Sequence, residues 1–463
     1  MKKEIGLNTI IEVLSRIINF TMTIIISRLL GPAALGVVSA AQAISAYVIM
    51  FGDFGTNNEA IRSISKEEGS VKRILRIVFS YRILFSILML VLSVILYVIG
   101  ILTQPIIYLF IIVSILTNFL PSFVFLGLRK FKYNGLMNFV NSIVTLVVFI
   151  ILILTFENVV VFPIALMVGT SSAILFSFII LYKHALLSKK LPKKEEFLPF
   201  LKTSMVLGIN MVFARIYYDF DIIMLSIMLD SVAVGIYSAA FKIIQILWFL
   251  PHMYVTYALP IITKIIKEKI EELGNYISNV LAYLFVLIGF IVLVALSYTE
   301  DILNLLFGEE FSGGALTLTI LLFSFIVLVV KTVFGNVLVA MREENYLLKL
   351  SIFCSVFNVL ANLLLIPFIG IIGAAISTLI TELILLILEV IKVKGLVKFS
   401  FPITTVVKSM LVTGIVIMLL NVIEWHFLFE VVIGLVLYLL FLYIGKESSV
   451  RTVVNQFKTG VKK

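Results

Sequence analysis

Ser27-Arg28-Leu29-Leu30-Gly31-Pro32-Ala33-Ala34-Leu35-Gly36-Val37-Val38-Ser39-Ala40-Ala41 and Ser226-Ile227-Met228-Leu229-Asp230-Ser231-Val232-Ala233-Val234-Gly235-Ile236-Tyr237-Ser238-Ala239-Ala240 are two versions of one segment, 199 positions apart. Seven of the 15 aligned positions are identical, and the same offset carries Arg16 onto Arg215. Both arginines lie inside long apolar runs. A duplicated apolar segment with a charge at the same depth in each copy is the plan of a two-lobed membrane transporter whose site lies between its repeats.

The rest of the 463 residues fits that plan. Hydrophobic residues make up 62% of the chain and charged ones 13%. A soluble chain of this length needs far more polar surface, so the composition specifies a polytopic membrane protein. A crossing takes roughly 20 apolar residues, and the chain supplies about fourteen such spans, which makes the fold all-α. The first two fall near 5–29 and 35–61, the seventh near 203–227, the eleventh and twelfth near 346–368 and 370–392. The last two fall near 403–423 and 427–445. Met1-Lys2-Lys3 ahead of an apolar run resembles a secretory leader, but Glu12, Arg16 and Asn19 interrupt the run, which therefore reads as a retained first span.

The net charge of +10 is topology and not a nucleic-acid footprint. With the N-terminus on the cytoplasmic side, 30 of the 36 lysines and arginines fall in or beside cytoplasmic loops, Arg28 alone lies opposite, and five are within spans. The opposite loops carry Glu157, Asp230, Glu300, Asp301, Glu309 and Glu310 instead. That alternation places both termini in the cytoplasm and the chain in the cell membrane. The basic loops also favour anionic membrane lipids.

Residues 1–188 then form an N-lobe of six spans, and 189–200 a cytoplasmic linker with the sequence Lys189-Lys190-Leu191-Pro192-Lys193-Lys194. Residues 201–395 form a C-lobe of six more. An even number of spans per lobe makes the repeat parallel, about an axis along the membrane normal. Residues 396–445 add a pair of spans outside the repeat, and 446–463 a basic tail.

Charges inside spans are costly and mark wet cavities or partners. Arg16 and Arg215 sit at mid-depth, and Lys242 and Lys331 at intermediate depth, so these four are the candidate cavity cations. Arg82, about two turns from the cytoplasmic edge, can instead snorkel to the surface. Glu12 with Arg16, and Arg215 with Asp219, are spaced i and i+4 and can meet on one helix face. Asp219 and Asp221 cannot both point at Arg215, which leaves one of them, together with Glu382, as a gate or coupling site for a proton or cation. Gly52-Asp53-Phe54-Gly55 loosens the cytoplasmic half of the second span; its kinase-like Asp-Phe-Gly lacks every other kinase element. Tyr217, Tyr218 and Tyr237 can stack on sugar rings but equally pack a core. The lone Cys354 and the scattered His184, His252 and His426 offer no metal-ligand spacing, and nothing calls for a cofactor.

Several short motifs carry a resemblance. Ser27…Leu30-Gly31…Gly36…Ser39-Ala40-Ala41, Gly52-Asp53-Phe54-Gly55…Arg62…Ser65-Lys66, and Gly235-Ile236-Tyr237-Ser238-Ala239-Ala240-Phe241-Lys242 with Pro260 are three of them. Leu306-Phe307-Gly308-Glu309-Glu310-Phe311 and Asn358…Asn362…Ile366-Pro367…Gly370…Gly373-Ala374-Ala375 are two more. Together they resemble the O-antigen (Wzx-type) polysaccharide flippases of the multidrug/oligosaccharidyl-lipid/polysaccharide exporter superfamily. The resemblance implies a V-shaped pair of six-helix lobes around a cationic central cavity. It implies a polyprenyl-linked oligosaccharide as substrate, with polysaccharide-assembly enzymes as candidate partners. Arg16, Arg215, Lys242 and Lys331 would then hold the anionic head group by charge-assisted contacts. A proton- or sodium-coupled organic-cation antiporter of the same superfamily is the alternative, sustained by Asp219, Asp221 and Glu382. An enzyme fits poorly, because the outer loops are short and lack a catalytic cluster.

Overall fold

Gly31 and Pro32 set the first landmark of the fold. The computed structural model describes residues 2–66, 71–100, 104–186, 191–421, 426–447 and 449–451. For residues 2–7, 9, 10, 210, 213, 214 and 216–219 it describes backbone alone. Helix α1 (Lys2–Asp53) contains a break where Gly31 takes φ 74° and ψ −176°. Those angles suit glycine, and Pro32 then fixes φ and withholds a donor, so the chain leaves one helix and starts another. The same device recurs in α14 (Glu344–Leu396) at Ile369 and Gly370 (φ 58°, ψ −136°), just after Pro367. There the chain turns back, bringing Gly373 against the backbone of Leu365 and Ile366.

The described residues are helical throughout, without a strand. Eleven helical stretches among them are long and apolar enough to cross a membrane. The two broken helices each supply two crossings, and the 35-residue α8 (Lys194–Met228) supplies one more. The protein is thus an all-α polytopic membrane protein of about fourteen transmembrane helices. Its apolar exposure is that of a lipid-facing surface. Leu84, Leu88, Val91 and Val94 on α3 (Val71–Val98) are all more than half exposed. A helix satisfies its backbone polar groups within the segment, as such a solvent demands.

Two compact units divide the chain, Met1–Gly235 and Ile236–Lys463. In the first, α6 (Phe131–Phe156) lies along α7 (Val161–Lys183), and α1 packs on α6 and on α4 (Pro105–Asn118). Met22, Phe110, Phe149 and Phe162 centre one core there. A second core gathers α2 (Thr56–Lys66), α3 and α5 (Ser122–Gly127) around Ile64, Ile74 and Phe123. Helix α8 packs on α1 and α2, so by contact it belongs to this unit although it opens the second repeat of the sequence.

The second unit takes over within α9 (Ser231–Leu247). It continues through α10 (Phe249–Glu268), α11 (Glu272–Ser297) and the short α12 (Thr299–Leu306). Then come α13 (Ala315–Ala340) and α14, whose mutual contact is the most extensive in the protein. The final pair, α15 (Ile403–Leu420) and α16 (Phe427–Ile444), docks on α11. Polar contacts fix the docking: Tyr438 Oη donates to Val286 O at 2.7 Å and Thr413 Oγ1 to Gly289 O at 2.8 Å. The absence of a side chain at Gly289 makes room for the Tyr438 hydroxyl. Tyr438→Phe is expected to lower stability by about 1 kcal/mol, the usual worth of one such bond, measurable as a lowered unfolding temperature in detergent. The basic tail expected at 446–463 lies outside the described residues beyond Arg451, and part of the linker at 189–200 lies outside them too.

The repeat is visible in local structure. Ser27 Oγ donates to Ile24 O at 2.8 Å, and its equivalent Ser226 donates to Ile223 O at the same distance. Ser39 and Ser238, identical in the alignment, are both buried. Where the first copy turns at Gly31, the second has Asp230, whose carboxylate caps the next helix by accepting from Ala233 N at 2.8 Å.

Candidate functional site

Arg16 lies on the polar stripe that spacing of four produces along the first half of α1: Asn8, Glu12, Arg16. Its side chain is exposed. The expected pairing with Glu12 is replaced by another contact. Asn8 Nδ2 donates to Glu12 Oε1 at 2.8 Å, while Asn134 Nδ2 on α6 donates to Asn8 Oδ1 at 3.1 Å. An amide chain from α6 therefore engages the carboxylate, and no ion pair joins Glu12 to Arg16 among the described residues.

Arg215, its repeat equivalent, is half-buried on α8. Tyr47 reaches it from the second half of α1, its hydroxyl donating to Arg215 O at 3.4 Å. The Tyr47 ring meets Phe220 edge-on, with centroids 6.3 Å apart. Asp221, next along α8, is 4% exposed. The Asp219, Tyr217 and Tyr218 side chains lie outside the described residues, and with them the expected Arg215–Asp219 contact.

In the second unit Lys242 is half-buried on α9, beside Phe241, which stacks on Tyr237 with centroids 5.9 Å apart. Tyr237 is fully buried, so its ring serves packing. Lys331 on α13 and Glu382 on the second half of α14 form an ion pair at 2.7 Å, with side chains 13% and 3% exposed. The sequence assigns them separate roles, cavity cation and coupling acid; the fold sets one on the other. Two turns further on, Glu389 is also buried, and Gly335, one turn from Lys331, leaves space facing its carboxylate. A cluster of amides and hydroxyls adjoins them. Asn362 Nδ2 donates to Asn358 Oδ1 at 3.1 Å, Asn358 Nδ2 to Thr381 Oγ1 at 3.5 Å, and Thr381 Oγ1 to Ser377 O at 2.6 Å. Glu389 lies within the apolar run of α14, and nothing in its local sequence points to Lys331 on another helix.

Arg82 does not snorkel. It is 1% exposed, with Nη2 at 2.9 Å from Asn57 Oδ1 and 3.7 Å from Asp53 Oδ1. Nη1 donates to Leu120 O at 3.4 Å, and the guanidinium stands 5.2 Å from the Phe123 ring centroid. The Gly52-Asp53-Phe54-Gly55 stretch ends α1 outright, short of the expected span end at 61. Asp53 caps α2 by accepting from Asn57 N at 2.7 Å and Thr56 Oγ1 at 3.0 Å. Outside the spans, cations serve local contacts: Lys269 donates to Glu272 at 2.9 Å, which holds its ammonium above the usual lysine value.

This set can bind and position charge. An exposed arginine on a polar stripe suits an anion, and a buried Lys–Glu pair suits exchange of one anion for another. No group of three His, Cys, Asp or Glu side chains converges as metal ligands among the described residues.

Known proteins carry the same architecture. A 17% identical solved structure, titled lipid II flippase MurJ in an inward closed conformation, superposes with a TM-score of 0.72 over 95% of this chain and 98% of that one. An inward-facing multidrug resistance MATE family transporter of the MOP superfamily gives 0.67 at 14% identity, over 82% of this chain and 95% of that one. These likenesses establish the fold. In sequence, 224 residues are 22% identical to a probable low-salt glycan biosynthesis flippase, Agl15, of Haloferax volcanii. That match spans 47% of this chain and about half, 48%, of the relative. Residues 1–266 match the family described as polysaccharide biosynthesis protein, which is more than half of the chain; the chain belongs to the polysaccharide biosynthesis protein family.

Proposed function

We propose that this protein is a flippase that moves a polyprenyl-(pyro)phosphate-linked oligosaccharide across the cytoplasmic membrane by alternating access, without catalysing a covalent step. The observation that carries the reading is Arg16, an exposed guanidinium at mid-span on a polar stripe of α1, with Arg215 at the equivalent point of the repeat. A hydrated anion crossing a low-dielectric layer needs such charges, and membership of a polysaccharide biosynthesis family is consistent with an anionic lipid-linked cargo. Arg16 and Arg215 would hold the phosphates in a cationic central cavity. Lys242 and Lys331 would add positive charge, Lys331 by trading Glu382 for the substrate. Asp219 and Asp221 remain proposed gate or coupling groups, and so does Glu382. The charge alternation of the loops supports cytoplasmic termini, and membrane lipids and polysaccharide-assembly enzymes are the proposed partners.

The MATE-like fold and the buried Asp221 favour a second reading, an ion-coupled organic-cation antiporter. One experiment separates the two. Purified protein in proteoliposomes is given a polyprenyl-pyrophosphate oligosaccharide or a cationic dye. The flippase reading expects glycolipid movement that falls about tenfold or more in Arg16→Ala and in Arg215→Ala, since a charge-assisted contact is worth roughly 1.5–3 kcal/mol. Dye movement without glycolipid movement would transfer the function to the carboxylates.

A further inference from the structure

Gly36 and Gly235 are the same position of the two repeats, and the fold brings them together. A Cβ added to Gly36 would run into Ser231 O and lie 2.9 Å from Gly235 N. A Cβ added to Gly235 would run into Pro32 O and lie 3.1 Å from Gly36 N. Ser231 is itself the repeat equivalent of Pro32. Each residue of the contact thus meets the equivalent of the residue that meets it, which is the signature of a local two-fold axis. The approach is backbone to backbone, and at these two positions it leaves no room for a Cβ. By the loop charges, this seam lies at the outer ends of the second half of α1 and of α9, beside the acidic Asp230.

A second seam lies at the other end, near the basic Arg62, Lys66 and Lys202. Gly55, at φ +80°, rests on α8 so closely that a Cβ would run into Ser204 O and stand 2.8 Å from Gly208 N. A Cβ on Gly208 would come within 2.8 Å of Phe54 O. Asp53 and Arg82 fix the turn that presents Phe54 and Gly55. Between the two seams, Tyr47 touches Arg215. The second half of α1 is therefore held at one end on α9 and, through the Phe54–Gly55 turn, at the other end on α8, by contacts without side chains on either side of a candidate substrate arginine.

We propose that the Gly36–Gly235 contact is the outer gate and the Gly55–Gly208 contact the inner gate of the transport cycle, both of them shut in this conformation. The inference rests on the transporter reading but on no particular substrate. Contacts of this kind part without breaking a salt bridge or exposing a buried charge, so either seam can open while the other holds. A side chain at Gly36 or at Gly235 is incompatible with a shut outer gate, and the repeat symmetry requires the two substitutions to act alike. A side chain at Gly208 is incompatible with a shut inner gate.

The test is accessibility, which needs no substrate. The full chain carries Tyr47→Cys as reporter on a Cys354→Ser background, in sealed vesicles of known orientation, and a membrane-impermeant maleimide is applied from either face. Gly36→Val and Gly235→Val are each expected to raise labelling from the outer face roughly tenfold or more, and Gly208→Val to raise it from the inner face. Should valine prevent insertion, alanine at the same positions is expected to shift labelling in the same direction by less. Unchanged rates, a rise from the wrong face, or opposite behaviour of Gly36 and Gly235 variants would overturn the gates. Failure of the wild-type chain to move glycolipid, with the labelling pattern as expected, would instead overturn the flippase reading alone.

Discussion

Lys331→Met is expected to destabilise the protein by about 3–5 kcal/mol, and Lys331→Met combined with Glu382→Gln by much less. The reason is the environment of the pair. Glu382 is 3% exposed and its carboxylate touches the Lys331 ammonium at 2.7 Å. A second carboxylate, Glu389, is buried two turns away on the same helix. Removing the ammonium leaves two acidic groups facing the space it filled, with both desolvation and mutual repulsion unrelieved. Removing both members of the pair deletes cost and gain together, so a double-mutant cycle should give strong coupling. Thermal or denaturant unfolding in detergent provides the stability. If the single and double variants lose the same amount, the pair does not hold α13 on α14.

The same cycle bears on transport. If Lys331 serves the substrate by trading one anion for another, the double variant should fold well and still move glycolipid poorly. Glu382→Gln alone should keep Lys331 and strengthen anion binding, because the competing carboxylate is gone. Stability and transport therefore respond in different variants. That separates a cation that acts on cargo from one that only packs two helices.

What the sequence made legible is what runs along one helix or recurs down the chain. Spans, their breaks at Gly31–Pro32 and Pro367–Gly370, and the repeat that gives Ser27 and Ser226 the same hydrogen bond all follow from periodicity and backbone rules. What it hid are the partners across helices. Spacing of four favoured Glu12 with Arg16, yet Asn8, tied to Asn134 on α6, takes the carboxylate. Lys331 and Glu382 are 51 residues apart, and only the packing of α13 on α14 makes them neighbours. Depth misled as well. Arg82 stands close enough to the edge to snorkel, but Asp53, Asn57 and Phe123 from three other helices offer it a better-satisfied interior position. A local rule sees one helix face, and the alternatives to a local pair belong to the rest of the fold.

Arg82→Ala is expected to cost about 3–5 kcal/mol, and Arg82→Lys to recover part of it. The guanidinium supplies Asp53 with its positive neighbour, Asn57 with a donor at 2.9 Å and Leu120 O with another at 3.4 Å. Its face also lies against Phe123, a contact worth roughly another 1 kcal/mol. Alanine leaves the buried Asp53 and the half-buried Asn57 with those contacts gone. Lysine restores charge near Asp53 but has no planar fork to reach Asn57 and Leu120 together. Because Asp53 also caps α2, the damage should spread into the Phe54–Gly55 turn and loosen its seat on α8. Unfolding temperature gives the first effect; labelling of a cysteine at position 47 from the basic-loop face gives the second. Wild-type stability for both Arg82 variants would mean that the guanidinium spends its time at the lipid headgroups and that the turn stands without it. A stability loss with unaltered labelling would leave Arg82 as a brace for α2, α3 and α5, and would place the control of the inner seam in the glycines themselves.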